Sequence, residues 1–316
     1  MTDLFLGIDL GGTNVKLGLC GPAGEVRGSV SIPTDSAKGP PDTIRRMAEA
    51  AARLMERVGR AKACGSGVPG PLDLERTILF RATNMPGWTK VPYPELLGKA
   101  LGIPTFMEND ANCAAWGEYI AGAGRGTQSL VLYTLGTGVG GGIVIGGEMW
   151  VGASGAAGEL GHMTIDPDGG VCGCGQNGCL EVYASATAVA KKWGKGGAKE
   201  CFDAARRGDA GAMAVVDGAA QALAIGLANM THVLHPEVIV LAGGMAQSSD
   251  LLLNKVREGV KKRVFPVFLE KIRIEASQVS GDDAGWLGAA LWAARKTESH
   301  TIREPTRLRS PELREG

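Results

Sequence analysis

Leu4-Phe-Leu-Gly-Ile-Asp9-Leu-Gly-Gly-Thr13-Asn-Val15-Lys-Leu-Gly-Leu19 reads as an apolar run ending on a carboxylate, a glycine turn and a second apolar run, which is a β-hairpin. Gly21-Pro-Ala-Gly24 then turns the chain into a third strand over residues 25–32. The plan recurs far downstream. Ser129-Leu-Val-Leu-Tyr-Thr-Leu135 leads into Gly136-Thr-Gly138-Val-Gly-Gly-Gly142, returns as Ile143-Val-Ile145 and turns again at Gly146-Gly147. A strand, a Gly/Thr turn and a returning strand, repeated about half a chain apart, predict two related domains that face each other.

Between the repeats, residues 42–58 carry apolar side chains at helical spacing, with Asp42 or Thr43 as the cap. Cys64-Gly-Ser-Gly-Val-Pro-Gly-Pro71 breaks that pattern. Met107-Glu108-Asn109-Asp110-Ala-Asn112 stands directly before an Ala-rich helix that runs to Glu118. Further helices are expected near 185–192, 201–207 and 209–234, then a buried strand Val238-Ile-Val-Leu-Ala242 ending at Gly243-Gly244, and a closing helix over 285–296. Residues 297–316 are charged and proline-interrupted, the composition of a mobile tail. The division that follows is a small α/β domain over 1–116, to which part of helix 285–296 returns, and a large α/β domain over 117–284.

The chain has 316 residues, 44% of them hydrophobic, and 33 Lys+Arg balance 33 Asp+Glu. That length supports two cores, and the absence of a basic excess argues against nucleic acid as the main partner. Small molecules are the expected ligands. No apolar run approaches bilayer length, and Asp3 stands where a secretion signal would want Lys or Arg, so the expectation is a cytoplasmic chain with no membrane partner. Cys20, Cys64, Cys113 and Cys201 lie among apolar neighbours and read as small core residues in a reducing compartment.

Other cysteines are differently placed. His162-Met-Thr-Ile-Asp-Pro-Asp-Gly-Gly-Val-Cys172-Gly-Cys174-Gly-Gln-Asn-Gly-Cys179-Leu-Glu181 gathers one imidazole and three thiols in a glycine-rich loop. Tetrahedral zinc takes four such ligands, and a closed Cys₃His set leaves no position for a reactive water, so His162, Cys172, Cys174 and Cys179 predict one structural zinc. Disulfides would leave an odd thiol in the cluster.

Two stretches match the dinucleotide fingerprint, Gly65-x-Gly67-x-x-Gly70 and Gly136-x-Gly138-x-x-Gly141. That fingerprint needs a helix to open at the glycines; Pro69 and Pro71 block it in the first, and the second continues as a strand. A dehydrogenase is therefore disfavoured. The backbone N–H groups of Asp9-Leu-Gly-Gly-Thr13 and Leu135-Gly-Thr-Gly138 can instead cradle phosphates, one turn from each domain. Asp9 would then reach a phosphate-bound Mg²⁺ through its waters. Asp110 reads either as a helix-capping carboxylate or as a general base, a role worth roughly 10²–10⁴-fold in rate.

Taken together these segments resemble the ROK family (repressor, open reading frame, kinase), and within it the bacterial glucokinases. Asp9-Leu-Gly-Gly-Thr13 looks like the first phosphate motif, Gly136-Thr-Gly-Val-Gly-Gly-Gly142 like the second, and Val238-Ile-Val-Leu-Ala-Gly-Gly244 like the adenosine-side strand and turn. Gly158-Glu159-Leu-Gly-His162 and the cysteine loop through Glu181 look like the family signature. The resemblance implies an actin/hexokinase-like (ribonuclease H-like) two-domain fold with a cleft, and phosphorylation of a sugar by Mg-ATP. It implies Asp9, Gly11, Gly12, Thr13, Gly136, Thr137, Gly138, Gly243 and Gly244 at the nucleotide, and Asp110 as the base for the sugar 6-hydroxyl. Asn84, Asn109, Glu159, His162 and Glu181 would hold the other hydroxyls, His162 binding zinc by one ring nitrogen and sugar by the other. A homodimer or tetramer is implied as well.

One departure is that Asn14 follows Thr13 where many members carry Lys, with Lys16 two residues on. Glucose is the expected substrate; fructose, mannose, allose or an N-acetylated aminosugar are alternatives, and polyphosphate is an alternative donor. A sugar-responsive repressor would want a helix-turn-helix before the first strand, and a silent sugar-binding protein would not need Asp110 and two phosphate turns.

Overall fold

The computed structural model describes residues 3–82, 85–247, 250–279 and 283–302. The opening hairpin forms as expected: β1 (Phe5–Leu10) pairs antiparallel with β2 (Asn14–Cys20), and β2 with β3 (Val26–Pro33). Helix α1 (Gly39–Val58) begins before the expected start. Pro40 and Pro41 occupy its first turn, where a missing N–H costs nothing. Neither expected cap is used: Asp42 pairs with Arg45 and Arg46, and Thr43 Oγ donates back to Gly39 O and Thr34 O.

The glycine run that looked like a breaker is in fact a central strand, β4 (Ala63–Val68), parallel to β1. Its glycines are there because a helix lies directly on it: a Cβ at Gly65 would sit 1.8 Å from Ala289 O. After the small β5 (Leu79–Arg81) and β6 (Thr89–Val91) ribbon and α2 (Tyr93–Leu101), β7 (Thr105–Asn109) adds parallel to β4 and runs straight into α3 (Asp110–Ala121). The first sheet has the order β3-β2-β1-β4-β7.

The second sheet repeats that plan. β8 (Ser129–Leu135), β9 (Val139–Ile145) and β10 (Glu148–Met149) form an antiparallel meander. Past the cysteine loop come α4 (Glu181–Ala184), α5 (Ala186–Trp193), α6 (Ala198–Arg206) and α7 (Ala210–Leu234). β11 (Val238–Ala242) then pairs parallel with β8. α8 (Gly244–Gln247), α9 (Asp250–Lys261) and α10 (Pro266–Leu269) lead to β12 (Arg273–Ala276), parallel to β11. The order β10-β9-β8-β11-β12 matches the first sheet strand for strand in direction.

α7 is long and apolar enough by length and composition to cross a membrane, contrary to the expectation that no run approaches that length. Its Ala212, Val216, Leu223 and Leu227 are buried in the second core among α4, α5, α6 and α9, and a helix wrapped on several sides is apolar nearly all round.

Helix α11 (Ala284–Ile302) crosses the first sheet and packs along α3. The two helices meet at Gly117 and Gly288, where a Cβ on Gly288 would lie 1.7 Å from Cys113 O. α11 continues past Lys296, where a mobile tail was expected, because its charged residues suit the exposed side of a helix and the first proline is Pro305. Thr297 Oγ1 bonds Ala293 O within it at 2.8 Å; the expected tail beyond residue 302 lies outside the described residues. α3 packs on strands of both sheets, so residues 116 and 117 lie within one helix shared by the two halves. Near its end the fully buried Glu118 accepts from Ala123 N, Ser277 Oγ, Gln278 N and Val279 N.

Candidate active site

The ends of β4, β7, β8 and β11 converge on a cleft of about 600 Å³, at the carboxyl edge of the strands where open α/β sheets bind ligands. Asn109, Asp110, Glu159, His162, Glu181, Gly136, Thr137, Gly138 and Gly243 all line it. Asp9, Gly11, Gly12, Thr13 and Gly244 do not, and Asn84 lies outside the described residues.

Asp110 is the first residue of α3. Asn109 caps the helix, its Oδ1 accepting from Ala111 N at 2.9 Å and Asn112 N at 3.2 Å. Asp110 Oδ1 accepts from the same Ala111 N–H at 2.8 Å. Burial pushes the Asp110 carboxyl up to about 6, and the charges of Asp9 and Glu159 push the same way against the bond from Ala111. A carboxylate so tuned sits near the working range of a general base.

Asp9 is the penultimate residue of β1, beside the first glycine turn, which Gly11 N closes onto Asn14 O at 3.1 Å. Burial raises the Asp9 carboxyl, and the charge of Lys16, its partner across the hairpin, lowers it. Lys16 thus acts electrostatically on Asp9.

The second turn is held from behind. Gly136 N bonds Gly138 O at 3.0 Å, Ala186 N bonds Gly136 O at 2.8 Å, and Thr187 Oγ1 bonds Thr137 O at 2.7 Å, so α5 fixes the turn. Gly243 (φ 90) faces it so closely that a Cβ would lie 2.6 Å from Leu135 O. Neither dinucleotide-fingerprint match opens a helix: Gly65 and Gly67 lie in β4 with Gly70 in the bend after it, and Gly136 and Gly138 lie in the β8–β9 turn with Gly141 in β9.

In the cysteine loop, the ligand atoms of His162, Cys172, Cys174 and Cys179 lie within 4.8 Å of one another. His162 Nδ1 faces Cys172 Sγ at 3.6 Å, and Cys174 Sγ faces Cys179 Sγ at 3.6 Å. The far ring nitrogen, Nε2, turns toward Glu159 Oε2 at 3.9 Å. One imidazole therefore has one nitrogen toward the thiols and the other toward a cleft carboxylate. Glu181 opens α4, and its Oε2 accepts from Val139 N at 2.9 Å, tying the loop to the second turn. The remaining cysteines, Cys20, Cys64, Cys113 and Cys201, are buried, and burial raises each thiol, that of Cys20 to about 12.

Sequence reasoning missed Arg76, Glu108 and Asn112. Glu108 is 1% exposed, and Arg76 Nε meets its Oε2 at 3.0 Å. Only the polar crowding of Glu108-Asn-Asp-Ala-Asn112 hinted at a network there; nothing near Arg76 in the sequence did.

The model of the ROK family matches residues 5–296. The chain belongs to the ROK family. A glucokinase of Thermotoga maritima is 38% identical over 90% of this chain and 96% of its own length. Among solved structures, a ROK hexokinase from Thermus thermophilus superposes with a TM-score of 0.83 at 35% identity, covering 94% of this chain and 99% of that one. A ROK family glucokinase from Streptomyces griseus, in complex with glucose and AMPPNP, does so with 0.79 at 31% identity, over 92% and 99%. The fold of this ROK protein is accordingly actin/hexokinase-like, with one repeat of the strand plan on each side of the cleft.

Proposed function

We propose that this ROK protein is a glucokinase, transferring the γ-phosphoryl group of Mg-ATP to the 6-hydroxyl of glucose, and that it works in the cytoplasm. The observation that carries the reading is Asp110: a half-buried carboxylate raised to about 6, on the wall of a cleft whose other polar groups suit a polyol. One of its oxygens is held by Ala111 N; the other accepts the proton as the sugar oxygen attacks phosphorus. Asn109 has its oxygen engaged at the cap, which leaves the amide NH₂ to donate to a sugar hydroxyl. Glu159 and Glu181 accept from hydroxyls, and His162 presents Nε2. Groups of this kind discriminate steeply, because a missing hydroxyl leaves a buried partner unpaired.

The donor phosphates would lie against Gly136-Thr137-Gly138, with Gly243-Gly244 on the adenosine side and the turn Gly11-Gly12-Thr13, which stands outside the cleft lining, as the second cradle. Asp9 would hold Mg²⁺ through water, which supplies charge neutralisation to the phosphates when bound. The Cys₃His donor set fits zinc: one nitrogen and three sulfurs at mutual distances that a tetrahedral ion would draw only slightly together. His162, Cys172, Cys174 and Cys179 would hold it as a staple, fixing the imidazole so that Nε2 stays aimed at the cleft.

Coupled ADP release measured with glucose, fructose, mannose, allose and N-acetylglucosamine tests both reaction and substrate. Glucose should give the highest kcat/KM, and Asp110→Asn should bind it while losing at least about 10²-fold in kcat. Turnover by Asp110→Asn at the wild-type rate would remove the base assignment.

A further inference from the structure

One side chain outside the residues assigned above bridges a cleft-lining loop at Gly155 and the residue directly before Asn109 and Asp110, Glu108. Arg76 is the tip of the loop that joins β4 to β5, in the left-handed backbone region at φ 59. Asp73 builds that tip: its carboxylate accepts from Thr77 N and Ile78 N at 2.7 Å each, and Arg76 N closes onto Asp73 O at 3.1 Å. A non-glycine residue stays in this region only where its surroundings hold it. Here the guanidinium is held at three points. Nε donates to Glu108 Oε2 at 3.0 Å, Nη2 to Gly155 O at 3.0 Å, and Nη1 to Asp73 O at 2.9 Å.

The two distant contacts lead to different parts of the cleft. Glu108 Oε1 accepts from Asn109 N and from Asn112 Nδ2, both at 3.0 Å, so the carboxylate braces the first turn of α3 around Asp110. A carboxylate only accepts, so the Asn112 amide must face it with its NH₂, which sets its oxygen toward Gly158. Gly155 belongs to the loop of residues 155–159 that lines the cleft and carries Glu159. That loop fits the guanidinium closely: a Cβ at Gly155 would lie 2.3 Å from Arg76 Nη1.

We propose that Arg76 is a positioning residue for the sugar, one guanidinium setting both the helix turn that carries Asn109 and Asp110 and the loop that carries Glu159. It touches neither substrate. Its planar fork reaches a carboxylate and a carbonyl at once, which an ammonium cannot do in the same geometry. The inference rests on the sugar-site reading above.

Four proteins test it: wild type, Arg76→Gly, Arg76→Lys and the double variant Arg76→Gly/Glu108→Gln. Glycine suits the left-handed tip, so the turn itself is spared. Arg76→Gly should raise KM for glucose about tenfold and change KM for ATP less than about twofold. It should also lower Tm, because Glu108 is left as an unpaired buried charge. The double variant removes that charge and should regain Tm while keeping the raised glucose KM, since Gly155 remains untethered. Arg76→Lys, which keeps a charge near Glu108, should fold and show the same KM split, and it decides the matter if Arg76→Gly does not fold. Glucose KM at the wild-type value in the single variants, or restored together with Tm in the double variant, would make Arg76 a mere counter-ion and overturn the proposal. Failure of the sugar-site reading would show instead in the wild type, as no ATP consumption with glucose.

Discussion

Asp110 shows how the site trades stability for chemistry. Its folded value of about 6 exceeds the ordinary 3.8, so the fold prefers the protonated form. The stability contribution of the neutral acid is present below pH 3.8 and is lost as pH rises through about 6, the reverse of a salt-bridged carboxylate. At neutral pH the ionised base therefore costs the fold something on the order of 1–3 kcal/mol. Asp110→Asn, which keeps the shape and the acceptor for Ala111 N, should melt higher than wild type at pH 7.5, with the difference shrinking toward pH 4. Activity runs the other way: kcat/KM for glucose should fall as pH drops through about 6, with slope one on a logarithmic plot, because the base must be ionised. A flat profile from pH 5 to 8 would detach Asp110 from the proton.

Among the elements, legibility followed the reason each residue was chosen. The hairpins β1–β2 and β8–β9, strand β11 and helices α5, α6 and α7 could be read because local pattern and local role agree in them. β4 could not: its Gly65 answers to the backbone of α11, far away in the chain, and only the folded molecule shows that contact. The expected start of α1 failed for a smaller reason, since Gly39-Pro-Pro41 looks like a turn and is a helical first turn. In the site, Asp110, Glu159, His162 and Glu181 were legible through motif, whereas the Arg76–Glu108 pair joins segments with no shared pattern. The cysteine loop has few apolar residues of its own. If zinc holds it, protein stripped by a strong chelator should show a glucose KM raised several-fold, with metal content near zero by mass spectrometry and recovery on adding Zn²⁺. Unchanged glucose KM in metal-free protein would dissociate the loop from the sugar.

For the molecule as a whole, the arrangement of its halves depends on where α3 and α11 cross. Gly117 and Gly288 let the two backbones touch, and any side chain there must push the helices apart. Gly288→Ala should therefore destabilise by about 3 kcal/mol or more, measured by denaturant titration, and should lower kcat in whatever fraction folds, because α3 carries the base. A variant with wild-type stability would show that the crossing has slack.

Glu118 has a consequence for ancestry and engineering. The two halves look like copies of one unit, and a designer might try to separate them after α3, where the pattern starts again. Yet the carboxylate near the end of that helix takes Ser277, Gln278 and Val279 as its donors, and these lie beyond the whole of the second repeat. Severed there, the first fragment would carry a bare anion in a greasy socket, and the second would carry amides aimed at nothing. Each half keeps a core of its own, but a third apolar cluster and the Glu118 socket are built from both, so the halves are mutually dependent.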